Sequence, residues 1–107
     1  MARTVEIALV NPVDGKTRAQ QVARLKEWKK HWLGLGAEKI VVTEIAVGNI
    51  NGGWIFAVHH KNGTAFGATF DTYYKNAKSF DAAVDKWMKT PTLKVVNFAV
   101  TFEVDEI

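Results

Sequence analysis

A chain of 107 residues, 48% hydrophobic and 23% charged, is long enough for one core, too short for two and too apolar to be disordered. It contains no cysteine, which excludes disulfides, thiolate nucleophiles and Cys-ligated zinc. The formal charge of +3 is mildly basic, and most of it comes from the segment Lys16 to Lys39.

Thr4 to Val10 alternates and reads as the first strand, stopped by Asn11-Pro12. After a loop at Val13 to Lys16, Thr17 and Gln20 form a capping box for a helix running to about Leu33. Val22, Leu25, Trp28 and Trp32 make its apolar stripe, Arg18, Arg24, Lys26, Lys29 and Lys30 flank it, and Gly34 and Gly36 end it. Lys39 to Val47 is β-branched and predicts a second strand; Trp54 to His60 predicts a third. Asn51-Gly52 between them is a two-residue hairpin signal. Thr64 can cap a helix over about Ala65 to Tyr74, and Ser79 a second segment over Phe80 to Lys89, with a break near Asn76. After Thr90-Pro91-Thr92, Leu93 to Val104 predicts the last strand. No repeat, low-complexity stretch or linker divides residues 1–107, so one domain is expected. No apolar run spans a bilayer, and Met1 to Thr4 leads straight into a strand-like segment without a signal-peptide core. A cytoplasmic protein without membrane partners is the expectation.

The order βαββαβ predicts an α+β, ferredoxin-like fold: a four-stranded antiparallel sheet with the helices on one face. A two-residue turn at Asn51-Gly52 sets Val47 opposite Phe56, Ile45 opposite Val58 and Glu44 opposite His59. The large apolar residues of each strand, Val5, Ile7 and Leu9 in the first and Val96, Phe98, Val100 and Phe102 in the last, are then expected under the helices. The other face would carry Glu6, Glu44, His59, Asn97, Thr101 and Glu103 among alanines. Such a face is either half-solvated or covered by a second copy that encloses a small polar cavity; the alanines favour the homodimer.

A βαββαβ chain with a basic amphipathic helix, a hairpin, a broken helix containing Phe66-Gly67 and Phe80, and a last strand after Thr90-Pro91-Thr92 resembles the dimeric α+β-barrel superfamily. Antibiotic-biosynthesis and haem-degrading monooxygenases, muconolactone isomerases and NIPSNAP-like proteins belong to that grouping. The resemblance implies a homodimer with a small organic ligand in the barrel or between sheet and helices. Asn11 and Trp54 are residue types that the haem-degrading branch uses, but Thr64 to Lys89 lacks the histidine that branch carries there.

The expected catalytic pair is Glu44 with His59, a carboxylate orienting an imidazole as base. Glu6, Asn97, Thr101 and Glu103 are candidate substrate contacts. Glu6 as a third ligand would suit a divalent metal, but no metal or cofactor is assigned. His31 and His60 read as solvated, and of Tyr73 and Tyr74 one is expected against the sheet. Trp28 and Trp32 lie on the buried stripe and the third strand lacks a ribonucleoprotein signature, so nucleic acid is not an expected partner. The functional expectation is a homodimer that binds or transforms a small organic molecule, of cofactor-independent monooxygenase or isomerase type. The rivals are a non-catalytic binding or stress-response module and an RNA-binding domain.

Overall fold

The computed structural model describes residues 3–48, 52–104 and 106–107. The elements are β1 (Thr4–Pro12), α1 (Arg18–Gly34), β2 (Lys39–Glu44), β3 (Trp54–His60), α2 (Gly63–Lys75), α3 (Ala77–Lys89) and β4 (Leu93–Phe102). The four strands make one open antiparallel sheet in the order β2-β3-β1-β4. β3 lies between β1 and β2, and β1 between β3 and β4, so each helical crossover passes over one strand. This is an α+β arrangement compatible with a ferredoxin-like fold.

Local chemistry accounts for the helix boundaries. At α1 the Thr17 hydroxyl accepts from the Gln20 N–H at 3.1 Å and the Gln20 side chain accepts from the Thr17 N–H at 2.8 Å, the reciprocal capping box expected. Asn62, two residues before the expected Thr64, caps α2 by accepting from the Ala65 N–H. The break falls at Asn76, as expected, but Asn76 and not Ser79 is the residue that precedes α3. Leu25 of α1 is buried with Val10, Ile40, Trp54, Phe56 and Val58 of the sheet, and Val22, Trp28 and Trp32 pack against that cluster. The core therefore lies mainly between α1 and strands β1, β2 and β3, joined by Leu93 at the start of β4.

The register corrects the expected faces. Ile40 pairs with Val58, Val42 with Phe56, Glu44 with Trp54 and Lys39 with His59. The hairpin closes by the Ile45 N–H to Gly53 carbonyl bond at 2.8 Å and the Gly52 N–H to Ile45 carbonyl bond at 3.1 Å, so its loop is longer than two residues. Asn51, half of the expected turn, lies outside the described residues. The pairing is displaced by five positions, and an odd displacement turns every β2 side chain to the other face. β1 is also inverted: Thr4, Glu6, Ala8 and Val10 are buried opposite His60, Val58, Phe56 and Trp54, under the helices. Val5, Ile7 and Leu9 lie on the uncovered face with Ile55, Ala57 and His59.

The reason is volume. Ala8 is flanked by Phe56 on one side and Phe98 on the other, and tryptophans descend from α1. Bulkier β1 side chains would project into the space between these rings, and the small and polar set takes the helix side. On β4 the expectation for Phe98, Val100 and Phe102 agrees with their pairing to Ala8, Glu6 and Thr4. A bulge opposite Leu9 and Val10 sets Val95, not Val96, against Val10.

Candidate functional site

A cleft of about 190 Å³ opens between the sheet and helices α1 and α3. Glu6, Ala8, Phe56, Val58, Val95 and Phe98 form its floor, and Trp28, His31, Trp32, Val84 and Trp87 its walls. The floor has depth because Ala8 is small between two phenylalanines. Trp87 of α3 is fixed over the cleft by donating its indole N–H to Glu27 at 2.7 Å and by ring contacts with Trp28 and His31. The Trp28 indole N–H is buried and has no hydrogen-bond partner among the described residues.

Glu6 is the one acidic side chain lining this cleft, and it is 5% exposed. A carboxylate so placed needs a partner. His60, 1% exposed, supplies one: Nε2 lies 2.8 Å from Glu6 Oε2. Phe66 of α2 packs edge-on against the His60 ring at 5.3 Å, and Thr4 is its cross-strand neighbour. His60 Nδ1 and Thr4 Oγ1 are both buried without hydrogen-bond partners among the described residues. His31 stands on the facing wall among Trp32, Phe80 and Trp87, and burial lowers its pKa below the ordinary 6.5, so it is neutral at pH 7. The arrangement can hold a small apolar body against aromatic rings while offering one carboxylate, oriented by an imidazole, to a polar group.

The expected catalytic pair is not brought together. Glu44 is on the helix side, where Arg18 grips its carboxylate at 3.1 to 3.5 Å and lays its guanidinium over Trp54. His59 is on the uncovered face, five residues further along β3, or roughly 17 Å at strand rise. Its neighbours are Lys39 and Val5, and burial followed by Lys39 and Arg3 lowers its pKa. Asn97 and Thr101 share the uncovered face with His59, but Asn97 bonds the adjacent Phe98 N–H and Thr101 donates to the Val5 carbonyl. Glu103 is exposed past the end of β4, its N–H bonded to the Arg3 carbonyl. The six candidates therefore divide between two faces of the sheet, and a metal set of Glu6, Glu44 and His59 has no common centre. Among the described residues no group of three or more His, Cys, Asp or Glu could hold a metal ion.

His60 and His31 are corrections in the other direction: His60 is buried, and His31 is half-buried among aromatic rings. The signal for His60 was its parity: Trp54, Phe56 and Val58 point to the helices, and a period of two carries His60 with them. Trp54 is a core residue that donates to Gln21 at 2.9 Å. Tyr73 donates to Asp81 of α3, which raises its pKa, and Tyr74 is exposed.

No protein-family model matches the chain, and no curated protein matches it in sequence. No helix among the described residues is long and apolar enough to cross a membrane.

Proposed function

We propose that this chain is a homodimeric protein of the ferredoxin-like, dimeric α+β-barrel type that binds a small, mainly apolar organic molecule between its sheet and helices. The observation that carries this is the buried Glu6–His60 pair on the floor of an otherwise aromatic cleft. A folding core gains little from a buried carboxylate, whereas a ligand site uses one polar group among apolar walls for orientation. If the protein is an enzyme of the monooxygenase or isomerase type, Glu6 is the group that would exchange a proton with the bound substrate, with His60 positioning it. Without turnover, the same geometry serves a binding module.

The second copy is argued from the uncovered sheet face. Val5, Ile7, Leu9, Ile55 and Ala57 remain half-buried there, beside an exposed Val41. An antiparallel sheet that faces water alternates apolar with polar residues; here the middle of the uncovered face, Val41, Ala57, Ile7 and Ala99, is an apolar row, with Lys39, His59, Thr101, Thr43 and Asn97 in the rows on either side of it.

The test fills the cleft. Titration with a panel of small neutral and charged organic molecules, followed by indole N–H NMR signals, is expected to give saturable shifts at Trp28, Trp32 and Trp87. Ala8→Leu should reduce affinity by at least about tenfold while the variant stays folded. Undiminished binding in folded Ala8→Leu, or no saturable shift from any member of the panel, removes this reading. Sedimentation is expected to give a dimer that Ile7→Arg dissociates.

A further inference from the structure

The class of ligand can be narrowed further, on the reading that the cleft is a ligand site. At about 190 Å³ it is smaller than the roughly 300–1,000 Å³ of pockets for drug-sized molecules, so its occupant is compact. The rings around it are not arranged for a flat guest. Trp28 meets Phe56 at 88°, Trp87 meets Trp28 at 58°, and His31 meets Trp87 at 81° and Trp32 at 82°. Two parallel faces would sandwich a planar aromatic ligand. The one stacked pair among the described rings, Tyr73 with Phe80 at 11°, has neither member in the cleft lining. Walls turned steeply to one another instead make a box, which suits a compact, rounded group.

Charge then selects among rounded groups. His31 is neutral at pH 7 because burial disfavours its proton. The His60 ring lies behind Glu6, toward α2, and is not part of the lining. A guest therefore meets a carboxylate and the electron-rich faces of indole and phenyl rings, the combination that recognises alkylated ammonium groups. We propose that the cleft recognises a small organic cation of the alkylated-ammonium class, held by Glu6 and an aromatic box of Trp28, Trp32, Trp87, Phe56 and Phe98.

The experiment compares choline with its uncharged carbon isostere, in which tert-butyl replaces trimethylammonium, by NMR titration of the full chain. Expected are upfield-shifted N-methyl signals and affinity at least about fivefold tighter for the cation, the scale of a partly desolvated cation–π contact. Glu6→Gln keeps the shape beside His60 and should lower that preference to the part that the aromatic rings supply, weakening the cation more than the isostere; an undiminished preference would remove Glu6 from the assignment. Should Glu6→Gln not fold, Trp87→Leu, on a helix without buried residues, must weaken the cation more than the isostere. Equal or tighter binding of the isostere overturns the cation assignment and leaves the small-molecule site standing. Saturable binding of neither probe overturns the cation assignment, and if the wider panel also fails, the site itself.

Discussion

Phe56 and Phe98 flank the same small residue, Ala8, on the same face of the sheet, yet Phe56 is 3% exposed and Phe98 is 56% exposed. The difference belongs to their surroundings. Phe56 lies under α1, where Trp28 meets it edge-on at 5.7 Å. Phe98 lies on the edge strand β4, beside α3, a helix with no buried residue. One half of the molecule is thus a closed core, and the other a looser seam in which the cleft sits. The Cα trace spans 42 × 38 × 17 Å, a slab of one helical layer on one sheet. Ligand sites draw on regions of low local stability for access, and here the site lies where the packing is incomplete.

The comparison is broken most directly by truncating both rings. Phe56→Ala is expected to cost about 3–5 kcal/mol in denaturant unfolding, the range for a fully packed phenylalanine. Phe98→Ala should cost about 1 kcal/mol or less. A Phe98→Ala cost near that of Phe56→Ala, rising with protein concentration, would instead mean that a second copy covers β4.

A pH series sharpens the seam itself. Burial lowers the His31 pKa, so the folded state holds this proton less tightly than the unfolded chain does. Its contribution to stability is complete above about pH 6.5 and is lost as pH falls below that toward the lowered folded value. Hydrogen exchange should show this loss first in α3, which His31 meets through Phe80 and Trp87. His59 titrates in the same direction from the opposite face, so His31→Gln must abolish the α3 response and leave the remainder.

The smallest effect belongs to Glu44. Its pair with Arg18 is a surface bridge, and a double-mutant cycle is expected to give about 0.2–1 kcal/mol. Glu44→Ala should leave ligand shifts at Trp28 and Trp87 unchanged, which a catalytic Glu44 would not.

Elements were legible where the code is local. The Thr17–Gln20 box and the break at Asn76 are each written in a few adjacent residues, whereas β1 runs on through Asn11-Pro12, paired with Lys94 and Leu93, where a stop was expected. Faces were harder. The apolar set Val5, Ile7 and Leu9 is bulkier than Glu6, Ala8 and Val10, and bulk alone assigned it to the wrong side. What overrode it was crowding by Phe56, Phe98, Trp28 and Trp32, a sum over three elements that no single strand displays. In β2 the error came from the hairpin, where an Asn-Gly signal pointed to a tight turn and the chain instead closes at Ile45 and Gly53.

The chain itself therefore determined which segments become helix and strand, because capping, turn chemistry and periodicity act over four to eight neighbours. Tertiary structure alone decided that Glu6 meets His60 across 54 positions and that Glu44 and His59 part company. Pairing register and side-chain volume are properties of strands in contact, and a one-position choice of register moves a residue from the core to the opposite surface.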